Sequence, residues 1–162
     1  MTGPIATTVS VRTARDKAHA FATAIPADLT KVLLPKGPLP GVRDVTERKG
    51  EWTAPGHSRR VVMSDGASLL ETLTAYEENT AVAYRIEGFK APLGLLVTHA
   101  EGAWSFDEVG PAETKIAWTF TFYPRSALTA PIVGFIARSL WPGYAGDALD
   151  RVKAMAESNE AA

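Results

Sequence analysis

The stretch Ala100–Tyr123, "AEGAWSFDEVGPAETKIAWTFTFY", carries the cleanest alternation in the chain. In its first half Ala100, Gly102, Trp104 and Phe106 point one way, and Glu101, Ser105 and Asp107 the other. In its second half Ile116, Trp118, Phe120 and Phe122 oppose Lys115, Thr119 and Thr121. A period of two is the signature of strands, whose successive side chains leave opposite faces of a sheet. One face of this sheet is therefore aromatic and the other wet.

Upstream, the same reading gives short strands at "VRDVTERKGEW" and "SRRVVMS", parted by the Pro55-Gly56 turn signal. "ASLLETLTAYE" and "TAVAYRIEG" follow, divided at Glu78-Asn79 as a hairpin. Before them, the β-branched run Ile5–Val11 predicts a first strand. A helix pair then spans Asp16–Ala24 and Ala27–Leu34, with Pro26 tolerated in a first turn. "PKGPLPG", Pro35–Gly41, is a loop. Downstream, Ile132, Phe135, Ile136, Leu140, Tyr144, Leu149, Val152 and Met155 fall at helical spacing. Pro142 lacks a backbone donor and crowds the preceding turn, so this helix is expected to kink or break there.

Composition bounds the function. The 162 residues suit one domain, 1–162, with an ordered core over about 5–155 and a frayed polar tail at 156–162. Seventeen basic against eighteen acidic side chains leave no overall field for a phosphate backbone, which argues against nucleic acid. The absence of cysteine removes disulfides, thiolate metal sites and thiol nucleophiles. No basic region followed by an apolar core opens the chain, and no run approaches the roughly 20 apolar residues of a membrane span, so a cytoplasmic protein is expected. His19, His57 and His99 are isolated from one another, there is no G-x-S-x-G elbow, and "GPLPG" and "PGYAG" lack the lysine of a phosphate loop. No metal site and no cofactor are expected.

One strand, a helix pair, about six antiparallel strands and a long terminal helix make an α+β domain. The pattern resembles the helix-grip fold of the START-related, polyketide cyclase and birch-pollen-allergen-like superfamily, SRPBCC. The matching landmarks are "DGASLLETLTAYEENTAVAYRIEG", where Glu71 and Tyr84 sit at positions that often hold an acid and a tyrosine, Trp104 before the last hairpin, "ETKIAWTFTFYP" and the terminal helix. Glu113-Thr114 stands where Gly-Thr is usual. The resemblance implies a curved sheet of about seven strands wrapped around the C-terminal helix, with a cavity between them for an apolar or amphipathic small molecule such as a lipid, sterol or polyketide. Trp104, Phe106, Trp118, Phe120, Phe135 and Leu140 are the candidate ligand-binding residues. The aromatic face suits a packed core equally well.

Glu71 shares the parity of Leu69 and Leu73. Facing inward, it needs a hydrogen bond or a partner, because an isolated buried carboxylate costs several kcal/mol. Tyr84 has the same parity, although counting across the hairpin sets Glu71 opposite Arg85 or Glu87. Glu71 and Tyr84 are thus the candidate catalytic pair of an aromatase/cyclase- or dehydratase-like enzyme acting on a polyketide. The competing reading turns Glu71 outward to a surface arginine such as Arg60, leaving a carrier. A basic patch of Arg43, Arg48, Lys49, Arg59 and Arg60 reads as a solvated sheet face or a steering site for an anionic headgroup. A third class is a module acting through a protein partner, with the Pro35–Gly41 loop as contact surface, gate or plain connector.

Overall fold

The computed structural model describes residues 3–158. Seven strands form one antiparallel sheet: β1 Ile5–Thr13, β2 Val42–Lys49, β3 Ser58–Met63, β4 Ser68–Glu77, β5 Ala81–Glu87, β6 Val97–Gly110 and β7 Glu113–Pro124. Their spatial order is β1-β7-β6-β5-β4-β3-β2, so every neighbour but one is also the next in sequence. β1 is the exception, pairing with β7 from Ile5 opposite Phe122 to Thr13 opposite Thr114. The alternation in β6 and β7 is realised as expected, with Ala100, Phe106, Ile116, Trp118, Phe120 and Phe122 all buried.

Between β1 and β2 lie α1, Lys17–Ala24, and α2, Leu29–Val32. Each has an aspartate cap: Asp16 accepts the His19 N–H at 2.8 Å, and Asp28 accepts that of Thr30 at 3.0 Å. α2 is shorter than the expected Ala27–Leu34. Leu33 has already turned extended, and Leu34 precedes Pro35, whose ring disfavours helical geometry in the residue before it. A short helix not expected from the sequence, α3 Leu93–Leu96, precedes β6.

The terminal helix starts at Ala130 and runs in three parts: α4 Ala130–Phe135, a π-helical turn Ile136–Leu140 and α5 Trp141–Glu157. The break falls where Pro142 demands it, since a residue without N–H is tolerated in the first turn of a new segment. α5 buries Tyr144, Ala145, Ala148, Leu149, Val152 and Ala156 and packs on β1 and both short helices. Its end is not frayed through residue 157. Ala156 is buried, and the Glu157 carboxylate accepts the Thr13 hydroxyl at 2.9 Å and the Ala14 N–H at 2.8 Å, bonds that hold its pKa below the usual range. Residues 159–162 of the expected tail lie outside the described residues.

Candidate functional site

Between the sheet and the terminal helix lies a cavity of about 230 Å³. The sheet supplies Val61, Leu69, Ile86, Trp118, Phe120 and Phe122; the helix supplies Ile136, Leu140, Trp141 and Tyr144 from its π-helical turn and first α5 turn. Exposed Pro38, Lys90, Ala91 and Pro92 mark its mouth. The Pro35–Gly41 loop forms one lip and is pinned to α5. Tyr144 donates its hydroxyl to the Pro40 carbonyl at 2.7 Å, and Lys36 pairs with Asp147 at 2.9 Å.

The candidate ligand-binding residues divide by position. Trp118, Phe120 and Leu140 line this cavity. Trp104 borders a second, smaller chamber of about 40 Å³. Phe106 reaches neither: it is fully buried among Phe21, 5.2 Å away between ring centroids, and Trp104, 6.4 Å away. Phe135 is 57% exposed on the outer side of α4, because at helical spacing it cannot share the inward side with Val133 and Ala137.

Glu71 faces inward and is 7% exposed, but its partner is neither Tyr84 nor Arg60. Arg59, directly opposite on β3, donates from Nε to Glu71 Oε1 at 2.9 Å. The register explains the altered pairing on the other side. Glu77 pairs with Ala81, which if continued evenly would set Glu71 opposite Glu87; an extra residue, Thr74, slides the strand by one and puts Glu71 opposite Ile86. Arg59 therefore leaves the expected basic surface patch, while Arg60 stays at the surface, 3.7 Å from Glu47. Its inward side was available in "SRRVVM", where Arg59 shares parity with Val61 and Met63.

Tyr84 sits on β5 opposite Leu73 and Gly102. Its hydroxyl oxygen accepts the indole N–H of Trp118 at 3.1 Å and of Trp104 at 3.4 Å, and its own hydrogen has no acceptor among the described residues. Burial, and then the negative charge of Glu71, push its pKa well above that of a free phenol, so it is a hydrogen-bond donor at any ordinary pH. Gly102, which sequence reasoning passed over, makes room for the ring: a Cβ there would stand 2.3 Å from Tyr84 Cζ and 2.5 Å from the hydroxyl oxygen. Gly102→Ala is expected to push Tyr84 off its indole donors and to cost about 1–3 kcal/mol. Near-ultraviolet circular dichroism and thermal melting would show both; an unchanged aromatic spectrum would mean the ring needs no such space.

Arg59 lies over the Trp52 ring, its guanidinium carbon 3.9 Å from the indole centroid. Trp52 holds a left-handed backbone, φ 62°, which for a bulky residue costs about 1–3 kcal/mol and is found where the surroundings over-determine it. The histidines lie apart from this cluster. His19 bonds the Ala156 carbonyl, His57 accepts the Thr53 N–H, and His99 stacks on Tyr123 on the outer face, with burial lowering its pKa. Among the described residues no three His, Asp or Glu side chains gather as metal ligands would, and no helix is long and apolar enough to cross a membrane.

An antiparallel sheet gripping a terminal helix around an apolar cavity defines a helix-grip protein. The chain belongs to the polyketide cyclase/dehydrase and lipid transport family, whose sequence profile matches residues 5–157. No curated protein matches it. Its structure is similar to that of truncated norcoclaurine synthase from Thalictrum flavum, with TM-score 0.73 and 13% identity over 98% of this chain and 96% of that one. It is also similar to Ara h 8.0201, with TM-score 0.64 and 17% identity over 97% and 100% of the two chains. BexL, the di-domain ARO/CYC protein of the BE-7585A biosynthetic pathway, matches with TM-score 0.64 and 19% identity over 96% of this chain and 51% of its own. At such identities the likeness is one of fold.

Proposed function

We propose that the protein binds an apolar or amphipathic small molecule in the cavity between sheet and terminal helix. The observation that carries this reading is the cavity itself, about 230 Å³ of space lined by Trp118, Phe120 and Leu140 among its walls. Its size falls between the ~150 Å³ that admits benzene and the ~300 Å³ at which typical ligand sites begin, which suits a ligand of roughly one or two rings or a short chain. Binding would come from removing apolar surface from water against those side chains.

The test uses two tryptophan substitutions on one helix. Leu140→Trp places an indole in the cavity, whereas Phe135→Trp adds similar bulk on the exposed side. In native mass spectrometry, with organic extraction to identify the adduct, Leu140→Trp is expected to lose the bound molecule that wild type and Phe135→Trp retain. Equal occupancy in all three, or none in any of them with a broad lipid and polyketide panel, would sink the cavity as binding site. A cyclase- or dehydratase-like activity is the second reading, favoured by the unused Tyr84 hydroxyl hydrogen beside Glu71. Conversion of the recovered ligand by the wild-type protein would select it.

A further inference from the structure

Resting on that reading, we infer that the cavity selects ligands whose buried end is an uncharged carbonyl and rejects those ending in an ionised carboxylate, and that Glu71 sets this preference. Asp65 and Lys90 line the cavity at its exposed mouth, where the Lys90 ammonium donates to the Asp65 carbonyl; the buried polar side chains, Glu71 and Tyr84, gather at one place further in. Leu33, Glu71, Tyr84 and Trp118 border both the main cavity and the 40 Å³ chamber, and Arg59 borders the chamber but not the main cavity. At about 10–15 Å³ per water-sized atom, the chamber holds only a small polar group.

The hydrogen-bonding capacity left over at this partition is specific. Arg59 is 8% exposed and spends only its Nε on Glu71; neither terminal nitrogen has a hydrogen bond to the described residues. Tyr84 is 7% exposed and keeps its O–H hydrogen free. Both donor groups border the 40 Å³ chamber that a ligand oxygen would enter, and the contact with Trp52, 3.9 Å from the guanidinium carbon to the indole centroid, holds Arg59 in place. A ketone, ester or amide oxygen accepts from these donors and adds no charge. A carboxylate would meet the same donors, but Glu71 has already neutralised Arg59, so the ion would bring an uncompensated negative charge into a desolvated site. Donors alone favour an anion; the ion pair as a whole does not.

Two probes of matched shape and size test this: 2-acetonaphthone, a neutral ketone, and 2-naphthoate, its carboxylate counterpart, titrated calorimetrically at neutral pH. Wild type is expected to bind the ketone at least roughly tenfold more tightly, since an unpaired charge buried at an interface carries a penalty of that order or larger. Glu71→Gln leaves Arg59 without its counter-ion and is expected to reverse the order, with naphthoate then the tighter ligand. The double variant Arg59→Gln/Glu71→Gln removes both charges and is expected to lose the gain in naphthoate affinity. Circular dichroism checks that each variant is folded, and the wild-type ratio decides by itself if Glu71→Gln is not. If wild type binds both probes equally, or prefers naphthoate, the cavity reading stands and this inference is overturned. If wild type binds neither probe, this inference is overturned, while the cavity reading is decided by the native mass spectrometry and ligand panel described above.

Discussion

Arg59→Gln is expected to lower stability by about 3–5 kcal/mol, because it strands the Glu71 carboxylate, 7% exposed, without its charged partner, Arg59. For a chain of this length that corresponds to a fall of roughly 6–20 °C in melting temperature. The pair formed by Arg59 and Glu71 is costly to break but need not be a net source of stability, since desolvating two ions offsets much of their attraction. Arg59→Met combined with Glu71→Leu is therefore expected to recover most of the loss. A single variant that melts with wild type would mean that water reaches Glu71 and screens it. A double variant as unstable as the single would shift the explanation to the lost stacking of Arg59 on Trp52.

Phe106→Ala is expected to cost a comparable 3–5 kcal/mol, for a different reason. The ring is fully buried opposite Ile116 and packs edge-on against Phe21, so its removal leaves a void in a part of the core far from solvent. Because Phe106 borders neither chamber, ligand affinity in the folded variant should stay within about threefold of wild type, the scatter expected for changes at a distance. Thermal melting and ligand titration on the same preparation separate the two quantities. Loss of affinity on the scale of Leu140→Trp would place Phe106 back in the wall of the binding site.

The contrast between these two residues shows what the sequence made legible. Alternation in β6 and β7 marks Phe106, Trp118 and Phe120 as inward with equal clarity, since all three share one face. Which inward residue meets empty space depends on how far the terminal helix stands off the sheet, and that distance is set by packing between segments remote in sequence. Phe135 illustrates the same limit on the helix: the apolar spacing joins it to Ile132, but α4 turns Val133 inward and leaves both of them exposed. The parity of Glu71 with Leu69 and Leu73 leaves its inward and outward readings open, and the structure buries it. Its partner was not readable across the hairpin because one extra residue, Thr74, shifts the ladder without any glycine or proline to announce it. Arg59 was readable in principle from Val61 and Met63, but a basic residue in a short polar-looking strand is ordinarily a surface residue.

The pairing of β1 with β7 bears on the order in which the molecule can assemble. Six strands lie beside a sequence neighbour and can zip as successive hairpins while the chain is still growing, but Ile5 finds its partner only when Phe122 has been made. Glu157, which fastens the far end of α5 to Thr13 and Ala14, comes later still. β1 is thus among the last strands to be secured, and the hollow between sheet and terminal helix is not closed until that helix has been made. A ligand of that hollow would have nothing to recognise on the incomplete chain, so its capture would be a property of the finished fold and could not template the early steps of folding.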